Sequence, residues 1–319
     1  MAIQILILLA GLSLILFGAN WLVDGSSSIA RKFGLSEFLI GLTIVGIGTS
    51  TPEMVVSFLS SFQGKADMAI GNIVGSNIFN TMTILGITAL ITPLAITKNS
   101  LKKDIPLNII VTVLLILLGM NATIFGFGEN QLSRIDGAVL LFIFAWYLWK
   151  SFKSDTQENT DEDNTVKEYS GAISTLLIIV GLCSLIFGGR LFVNSATELA
   201  KMFGVSDKFI AITVMAAGTS MPELATCVVA ALKGRGQLAL GNVIGSNISN
   251  ILLILGGAAL INPLSFSGMT YVDLGAVLLS AVFILISAYC FKKKSLDRFE
   301  GSILILMEVA YMWYLIANL

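Results

Sequence analysis

The 319-residue sequence contains no histidine, only three cysteines and little charge. Without histidine, the chain lacks the commonest transition-metal ligand and the side chain best suited to titrate near neutrality. The cysteines form no CxxC pair, so neither a zinc site nor a disulfide is expected. The formal net charge is −1 and the basic residues fall in short loops, which offers no basic patch for nucleic acid.

Charged residues make up 12% of the sequence and hydrophobic residues 55%. An average soluble domain is about 25% charged, so most of this chain must face lipid or other helices. Apolar runs of about 20 residues, enough to cross a ~30 Å hydrocarbon core, recur along the chain, whereas the alternating pattern of membrane barrels is absent. We therefore predict an all-α integral membrane protein with ten transmembrane helices, near 3–29, 35–62, 68–92, 105–125, 131–150, 171–198, 206–232, 238–262, 270–291 and 300–317.

Two polar motifs occur twice, and both recur at the same offset in residue number. GTSTPE at 48–53 recurs as GTSMPE at 218–223, and GNIVGSNIFN at 71–80 recurs as GNVIGSNISN at 241–250. Between residues 48 and 94, 22 of the 47 positions match their partner, and most matches are Gly, Ser, Thr, Pro, Glu or Asn. Packing alone would mainly repeat apolar residues, so this pattern indicates a site built from two halves.

The duplication divides the chain into two five-helix halves. Residues 1–150 form the first repeat and residues 171–319 the second, joined by an acidic linker at 151–170. An odd number of crossings turns the second copy upside down, so the repeat is expected to be inverted. With the N-terminus outside, the cytoplasmic loops hold 14 of the 19 basic residues and the outside loops hold four. By the positive-inside rule, both termini should be extracytoplasmic and the linker cytoplasmic.

Each GTSxPE segment places a proline beside a glutamate inside an apolar span. Pro52 and Pro222 leave a carbonyl four residues earlier without its helical partner, which bends or breaks the helix. Glu53 and Glu223 would each cost ~2.5 to 3.5 kcal/mol if charged at the bilayer centre, so they should face an interior pathway and have a partner. No buried basic residue stands in register with them. The carboxylates are therefore expected either to be protonated or to hold a cation.

The remaining polar side chains of the motifs complete a set of oxygen ligands. Thr49 and Ser50 precede Glu53 by four and three residues and so share its helix face. Ser76 and Asn80 share a face of the next helix. Oxygen ligands without nitrogen or sulfur suit hard cations such as Ca2+ and Na+, and suit Mg2+ less because it dehydrates reluctantly. The second copy repeats the set with Thr219, Ser220, Glu223, Ser246 and Asn250.

With these motifs the sequence resembles the cation/calcium exchanger superfamily, of the prokaryotic sodium/calcium exchanger type, whose inverted alpha-repeats carry GTSxPE and GSNxxN/D. The resemblance spans all ten predicted helices. It implies a plasma-membrane antiporter that exchanges Na+ for Ca2+ by alternating access, with no cofactor, no enzymatic activity and no protein partner. It also implies that Glu53 and Glu223 are the paired ion-binding carboxylates. The other ligands implied are the side chains of Thr49, Ser50, Thr219, Ser220, Ser76, Ser246, Asn80 and Asn250 and the carbonyls of Gly46 and Ala216.

The residues also bear on the charge of the site, on alternative functions and on one further carboxyl group. Many relatives carry Asp at one of the positions of Asn80 and Asn250, so this site takes its charge of −2 from its glutamates alone, and potassium dependence is not expected. A proton/calcium antiporter could use the same carboxylate pair, and a membrane protease or a passive channel are further alternatives. Glu308 lies within a span outside the motifs, opposite Phe144 in the repeat, and has no role in the expected site.

Overall fold

The structure, a computed structural model, describes residues 1–126, 128–155, 168–203, 216–290 and 295–318. Most of the predicted linker and the beginning of the predicted seventh span lie outside these residues. The helices, in chain order, are α1 Ala2–Phe33, α2 Glu37–Thr49, α3 Thr51–Phe62, α4 Ala66–Ile91, α5 Ile105–Gly119, α6 Asn121–Phe125, α7 Arg134–Ser154, α8 Gly171–Met202, α9 Ala216–Thr219, α10 Met221–Leu232, α11 Gly236–Ile261, α12 Tyr271–Cys290 and α13 Arg298–Ala317.

Seven helices in the described part of the chain are long and apolar enough to cross a membrane, and the bent pair α2 and α3 makes an eighth. The seven are α1, α4, α7, α8, α11, α12 and α13. Helix α5 has 15 residues and continues directly from a π-helical segment at Ser100–Asp104, whereas α10 has 12 residues, which is short for a full crossing. The chain is thus a helical, multi-pass membrane protein, as predicted, and the count of ten spans stays a prediction.

The two longest helices, α1 and α8, pack along each other through glycines. A Cβ added at Gly11 would lie 2.9 Å from the carbonyl oxygen of Gly188, and one added at Gly18 would lie 2.8 Å from that of Gly181. Because residue numbers rise along α1 while those of their partners fall along α8, the helices run antiparallel. Small residues at such contacts allow the backbones to approach closely. Helices α1 and α8 are each the first helix of their predicted repeat.

Equivalent helices of the two predicted repeats also make equivalent contacts. Gly137 on α7 packs against the carbonyl of Gly256 on α11, and Gly301 on α13 packs against that of Gly86 on α4. Each of these outer helices therefore packs on the long helix of the opposite half. Four two-residue strands, which the sequence analysis did not predict, pair across the halves in the same symmetric way. They are β1 Leu94–Ala95 with β4 Ser295–Leu296 and β2 Gln131–Leu132 with β3 Leu264–Ser265.

A tyrosine–aspartate hydrogen bond joins α7 to the segment just before α5 in the first half, and α13 to α12 in the second. The Tyr147 hydroxyl donates to Asp104 Oδ1 at 3.0 Å, and the Tyr311 hydroxyl donates to Asp273 Oδ1 at 2.7 Å. The offset in residue number between the two tyrosines equals the offset between the packing glycines on α7 and α13. The pairing therefore belongs to the repeated architecture.

Candidate cation site

The helix breaks predicted from the prolines are present in both halves. Ser50 separates α2 from α3 with φ −76° and ψ 10°, and Ser220 separates α9 from α10 with φ −89° and ψ 9°. The bend between α2 and α3 is 47°. Pro52 and Pro222 occupy the first turns of the helices that follow, where a missing N–H costs nothing. The break places each motif glutamate in the first turn of a helix, where unpaired N–H groups favour negative charge.

The two glutamates are buried and each is linked to the opposite half. Glu53 and Glu223 are both 1% exposed. Ser50 Oγ donates to Glu223 Oε1 at 3.0 Å, and Ser220 Oγ donates to Glu53 Oε1 at 3.1 Å. The second carboxylate oxygen of each glutamate is buried and has no hydrogen-bond partner. The crossed hydrogen bonds bring the two carboxylates into one site and leave one oxygen of each available.

The asparagine that ends each GSNxxN segment is oriented by an asparagine of the opposite half. Asn80 Nδ2 donates to Asn247 Oδ1 at 3.3 Å, and Asn250 Nδ2 donates to Asn77 Oδ1 at 2.9 Å. With their nitrogens held in this way, Asn80 and Asn250 keep Oδ1 atoms that are buried and without a partner. Asn77 and Asn247 were not among the predicted ligands, although their recurrence in both motifs is a usable signal.

Four buried oxygens in these motifs therefore lack a hydrogen-bond partner within the described structure. They are Oε2 of Glu53, Oε2 of Glu223, Oδ1 of Asn80 and Oδ1 of Asn250, two from each half. A buried acceptor left unsatisfied costs about 1 to 3 kcal/mol. Four such atoms in equivalent positions of the two halves are unfavourable as structure alone. Two carboxylate and two amide oxygens are ligands suited to a hard cation.

The motif hydroxyls surround the carboxylates, but several already have protein partners. The Thr49 hydroxyl donates to the Val45 carbonyl at 3.0 Å and also faces Glu223. Thr219, which is partly buried, faces Glu53 in the same way. Because a hydroxyl can accept while it donates, these side chains remain able to coordinate an ion. Ser76 and Ser246 are both buried on the long helices α4 and α11.

The backbone carbonyls around the first helix break are more occupied than expected. The carbonyl of Gly48, freed by Pro52, accepts the Thr51 hydroxyl at 2.7 Å, so a side chain of the same turn replaces the missing helical partner. The Gly46 carbonyl accepts the Ser50 N–H at 3.2 Å and the Ser246 hydroxyl at 3.1 Å. In the second half, Ala216 is the first residue of α9 and stands one turn before Ser220.

The long helices α4 and α11 each contain a π-helical segment that begins at the motif asparagine. These segments span Asn80–Ile84 and Asn250–Leu255. A wider turn removes regular backbone pairing and is frequent at functional sites. No sequence signal used above predicted it, since neither segment contains proline or glycine among its residues.

A second repeated asparagine supports the glutamate-bearing helices from behind. Asn72 Nδ2 donates to the Glu53 carbonyl at 3.2 Å and to Ser57 Oγ at 3.0 Å. Its counterpart Asn242 donates to Cys227 Sγ at 3.2 Å. These asparagines tie α4 to α3 and α11 to α10, and so fix the position of each carboxylate. Their role was not predicted, although both belong to the repeated motif.

The surroundings of the two motif helices differ on one face. Gly241 and Gly245 on α11 are buried against the backbone of Phe38 and Leu42, so closely that an added Cβ would overlap a carbonyl oxygen at either position. On α4, the equivalent Gly75 is exposed, and no heavy atom of the described residues lies within 4 Å of an added Cβ. Among the described residues, α2 therefore covers this face of α11, whereas the residues that would cover Gly75 by the repeat, 208 and 212, lie outside the described part of the chain.

The helical fold defines this protein as a multi-pass membrane protein, and its buried carboxylate pair is typical of cation transporters. A family model described as sodium/calcium exchanger protein matches residues 3–153 and 173–317. The chain belongs to this family, and the predicted relation to the cation/calcium exchanger superfamily is confirmed. It is accordingly a cation/Ca2+ exchanger, and the members of this family are transporters.

The chain is similar over its whole length to proteins of this family. It is 36% identical over 331 residues to the putative antiporter CaxA of Alkalimonas amylolytica, with 100% of both chains covered. It is 33% identical over 342 residues to the sodium/calcium exchanger MaX1 of Methanosarcina acetivorans, with 97% of each chain covered. A solved structure of the sodium-calcium exchanger NCX_Mj superimposes with a TM-score of 0.84 at 32% identity, covering 98% of both chains.

Proposed function

We propose that this chain is a secondary active antiporter that exchanges Na+ for Ca2+ by alternating access. The observation that carries the proposal is the set of four buried, unpartnered oxygens, contributed equally by the two halves. The names of MaX1 and NCX_Mj, both sodium/calcium exchangers, support the choice of ions. The proposed ligands are the side chains of Glu53, Glu223, Thr49, Ser50, Thr219, Ser220, Ser76, Ser246, Asn80 and Asn250, with the carbonyls of Gly46 and Ala216.

The charge of the site explains how the two ions would be coupled. Among the described residues, no lysine or arginine forms an ion pair with Glu53 or Glu223. One Ca2+ or two Na+ would neutralise the two carboxylates. Without a bound ion, two charges would have to cross the low-dielectric centre of the bilayer, which is costly. Each ion therefore leaves only when the other replaces it, and net movement requires exchange.

The proposed architecture is that of two inverted five-helix repeats in the plasma membrane. Residues 1–150 and 171–319 form the repeats, residues 151–170 a cytoplasmic linker, and both termini are extracytoplasmic. The paired glycine contacts and the crossed serine–glutamate hydrogen bonds support the repeat, and the distribution of basic residues supports the orientation.

In this orientation the close contact between α2 and α11 lies on the cytoplasmic side of the glutamates. Alternating access would require this contact to open toward the cytoplasm in one state of the exchanger. The equivalent contact on α4, which the shared motif predicts, would then close on the extracellular side.

The decisive experiment measures Ca2+ uptake into proteoliposomes with the membrane potential clamped. We expect an imposed Na+ gradient to drive uptake and a pH gradient without Na+ to drive none. The Glu53→Gln and Glu223→Gln variants should abolish uptake, whereas Glu129→Gln, which changes an exposed loop carboxylate, should not. Uptake driven by the pH gradient would replace the proposal with a proton/calcium antiporter using the same pair. Ca2+ flux without any counter-ion would identify a channel.

A further inference from the structure

A carboxyl group outside the candidate site also lies within a membrane helix. Glu308 stands in the middle of α13, and its Oε2 atom is buried without a hydrogen-bond partner among the described residues. Helix α13 packs on the π-helical segment that begins at Asn80, and Thr83 of that segment is the polar group beside the carboxyl. A carboxyl of α13 therefore lies against the segment that carries a proposed ligand.

The repeat shows that this contact is not a requirement of packing. Glu308 is equivalent to Phe144, by the same offset that relates the two hydrogen-bonded tyrosines of α13 and α7, and Thr83 is equivalent to Leu253, by the offset of the repeated motifs. In the other half, Phe144 is buried in the apolar core and Leu253 packs against that core. The equivalent positions are thus both apolar in one half and both polar in the other. Since an apolar pair suffices for the packing, the polar pair calls for another reason.

The groups around Glu308 leave its charge unneutralised. Helix α13 packs on the segment Asn80–Ile91, which contains no titratable residue, and on α12, whose one acidic residue is Asp273 and whose other titratable residues are Tyr271, Tyr289 and Cys290. Asp273 accepts the Tyr311 hydroxyl and the Thr270 hydroxyl, at 2.7 and 2.8 Å. Tyr311 and Tyr314 are the neighbouring titratable groups on α13 itself. Strand β4, which also touches α13, carries no titratable residue. Among the described residues, no basic side chain forms an ion pair with Glu308.

We propose that Glu308 is a proton-binding site separate from the exchange site, and that loss of its proton tightens the binding of both transported ions. The effect on ions rests on the proposed function, whereas the proton site does not. An ionised Glu308 adds a negative charge close to the helical turn that begins at Asn80. Because Coulomb energy is proportional to charge, the change in affinity for each Ca2+ should be about the square of the change for each Na+.

The first test titrates Glu308 without using transport. Dicyclohexylcarbodiimide, a hydrophobic carbodiimide, reacts with protonated carboxyl groups in apolar surroundings, and mass spectrometry of the α13 peptide reports the labelled fraction. We expect labelling of Glu308 to fall from most of the protein to about a tenth over about two pH units, as the titration of one proton requires. Thr83→Val should move the midpoint. Labelling that is absent, or constant between pH 5 and about 10, would overturn the proton site.

The second test compares ion affinities across that labelling midpoint. In wild-type protein, the half-saturating Ca2+ and Na+ concentrations should both fall as Glu308 loses its proton, and Glu308→Gln should lose this step while it still transports. Tyr311→Phe, a matched change one turn away on α13, should keep the step. If wild-type protein exchanges no Na+ for Ca2+, the proposed function fails although the labelling result stands. If Glu308→Gln keeps the step, the proposed coupling fails.

Discussion

Helices α4 and α11 carry nearly the same ten-residue motif in different surroundings. On α11, every residue from Gly236 to Ser249 is buried, and two glycines lie against the backbone of α2. On α4, Gly75 meets none of the described residues, and the asparagine oxygens of both helices are buried at the site. The halves thus agree at the proposed ligands, and only the α11 face has a partner within the described part of the chain. The shared glycines indicate a surface on which another helix can pack closely in either half.

Removing one carboxylate at a time tests most strongly whether the two halves contribute equally to ion binding. A unit charge about 4 Å from an ion contributes about 4 kcal/mol at an effective dielectric constant of 20, and more for a divalent ion. We therefore expect Glu53→Gln and Glu223→Gln each to weaken Ca2+ binding by at least about 1000-fold. Calorimetric titration of purified protein with Ca2+ measures both values.

Equivalence of the halves requires the two losses to be similar, because each carboxylate accepts one serine hydroxyl and keeps one free oxygen. Ser61→Ala, which removes a buried hydroxyl from α3 that bonds the Ala258 carbonyl, serves as the control for general loss of folding. A variant of one glutamate that bound Ca2+ as tightly as wild type would show that the site belongs to the other half alone.

The difference between the halves can be tested at the two equivalent glycines. Gly75→Ala adds a methyl group that meets no heavy atom of the described residues within 4 Å, so we expect the variant to fold. If α4 becomes covered in the opposite state, the same methyl group would overpack it at a cost of about 1 to 3 kcal/mol, and exchange should slow by about tenfold or more. Flux measurements on liposomes with matched protein content test this expectation.

Gly245→Ala places its methyl group against the Leu42 carbonyl and should instead disfavour the present state. Its thermal unfolding midpoint should fall, or its population should shift toward cytoplasmic access, while Gly75→Ala keeps a wild-type midpoint. Equal, unimpaired exchange by both variants would contradict the idea that the two faces take turns in packing.

The crossed hydrogen bonds offer a smaller test of symmetry. Ser50→Ala and Ser220→Ala each remove one hydroxyl that donates to a glutamate of the other half. A hydrogen bond to a charged group contributes about 1.5 to 3 kcal/mol, so each variant should raise the half-saturating Ca2+ concentration by about tenfold. The two increases should be equal within about a factor of three, and concentration dependence of Ca2+ uptake measures them. A change in only one variant would show that one crossed bond is incidental.

The sequence predicted those parts of the site that follow from chemistry repeated along the chain. Proline at positions 52 and 222 predicted the broken helices, and the two glutamates predicted a shared buried centre. It did not predict that the Thr51 hydroxyl would bind the carbonyl freed by Pro52. A hydroxyl of the same turn and a bound ion are both possible partners for such a carbonyl, and the sequence does not distinguish them. The role of Asn77 and Asn247 also depends on helix packing across the halves, which no local pattern contains.

The π-helical segments and the short strands were also not predicted, because both depend on packing between distant segments. A wider turn at Asn80 depends on how the long helix packs against its neighbours, and the sequence there reads as an ordinary apolar helix. The strands are only two residues long and pair segments from opposite halves, such as Leu94 with Leu296. Neither feature has a local period from which it could have been predicted.

The smallest expected effect is at Cys227, where the two halves use different acceptors for equivalent asparagines. Asn242 donates to Cys227 Sγ at 3.2 Å, whereas Asn72 donates to Ser57 Oγ at 3.0 Å. Cys227→Ser gives the second half the acceptor of the first and should change the free energy of unfolding by less than about 1 kcal/mol. Cys227→Val removes the acceptor and puts a somewhat larger apolar side chain in its place, so the buried Asn242 nitrogen loses that partner at a cost of about 1 to 3 kcal/mol. Thermal unfolding in detergent should therefore rank valine well below serine and wild type, and equal destabilisation by both would show that the sulfur acts through packing alone.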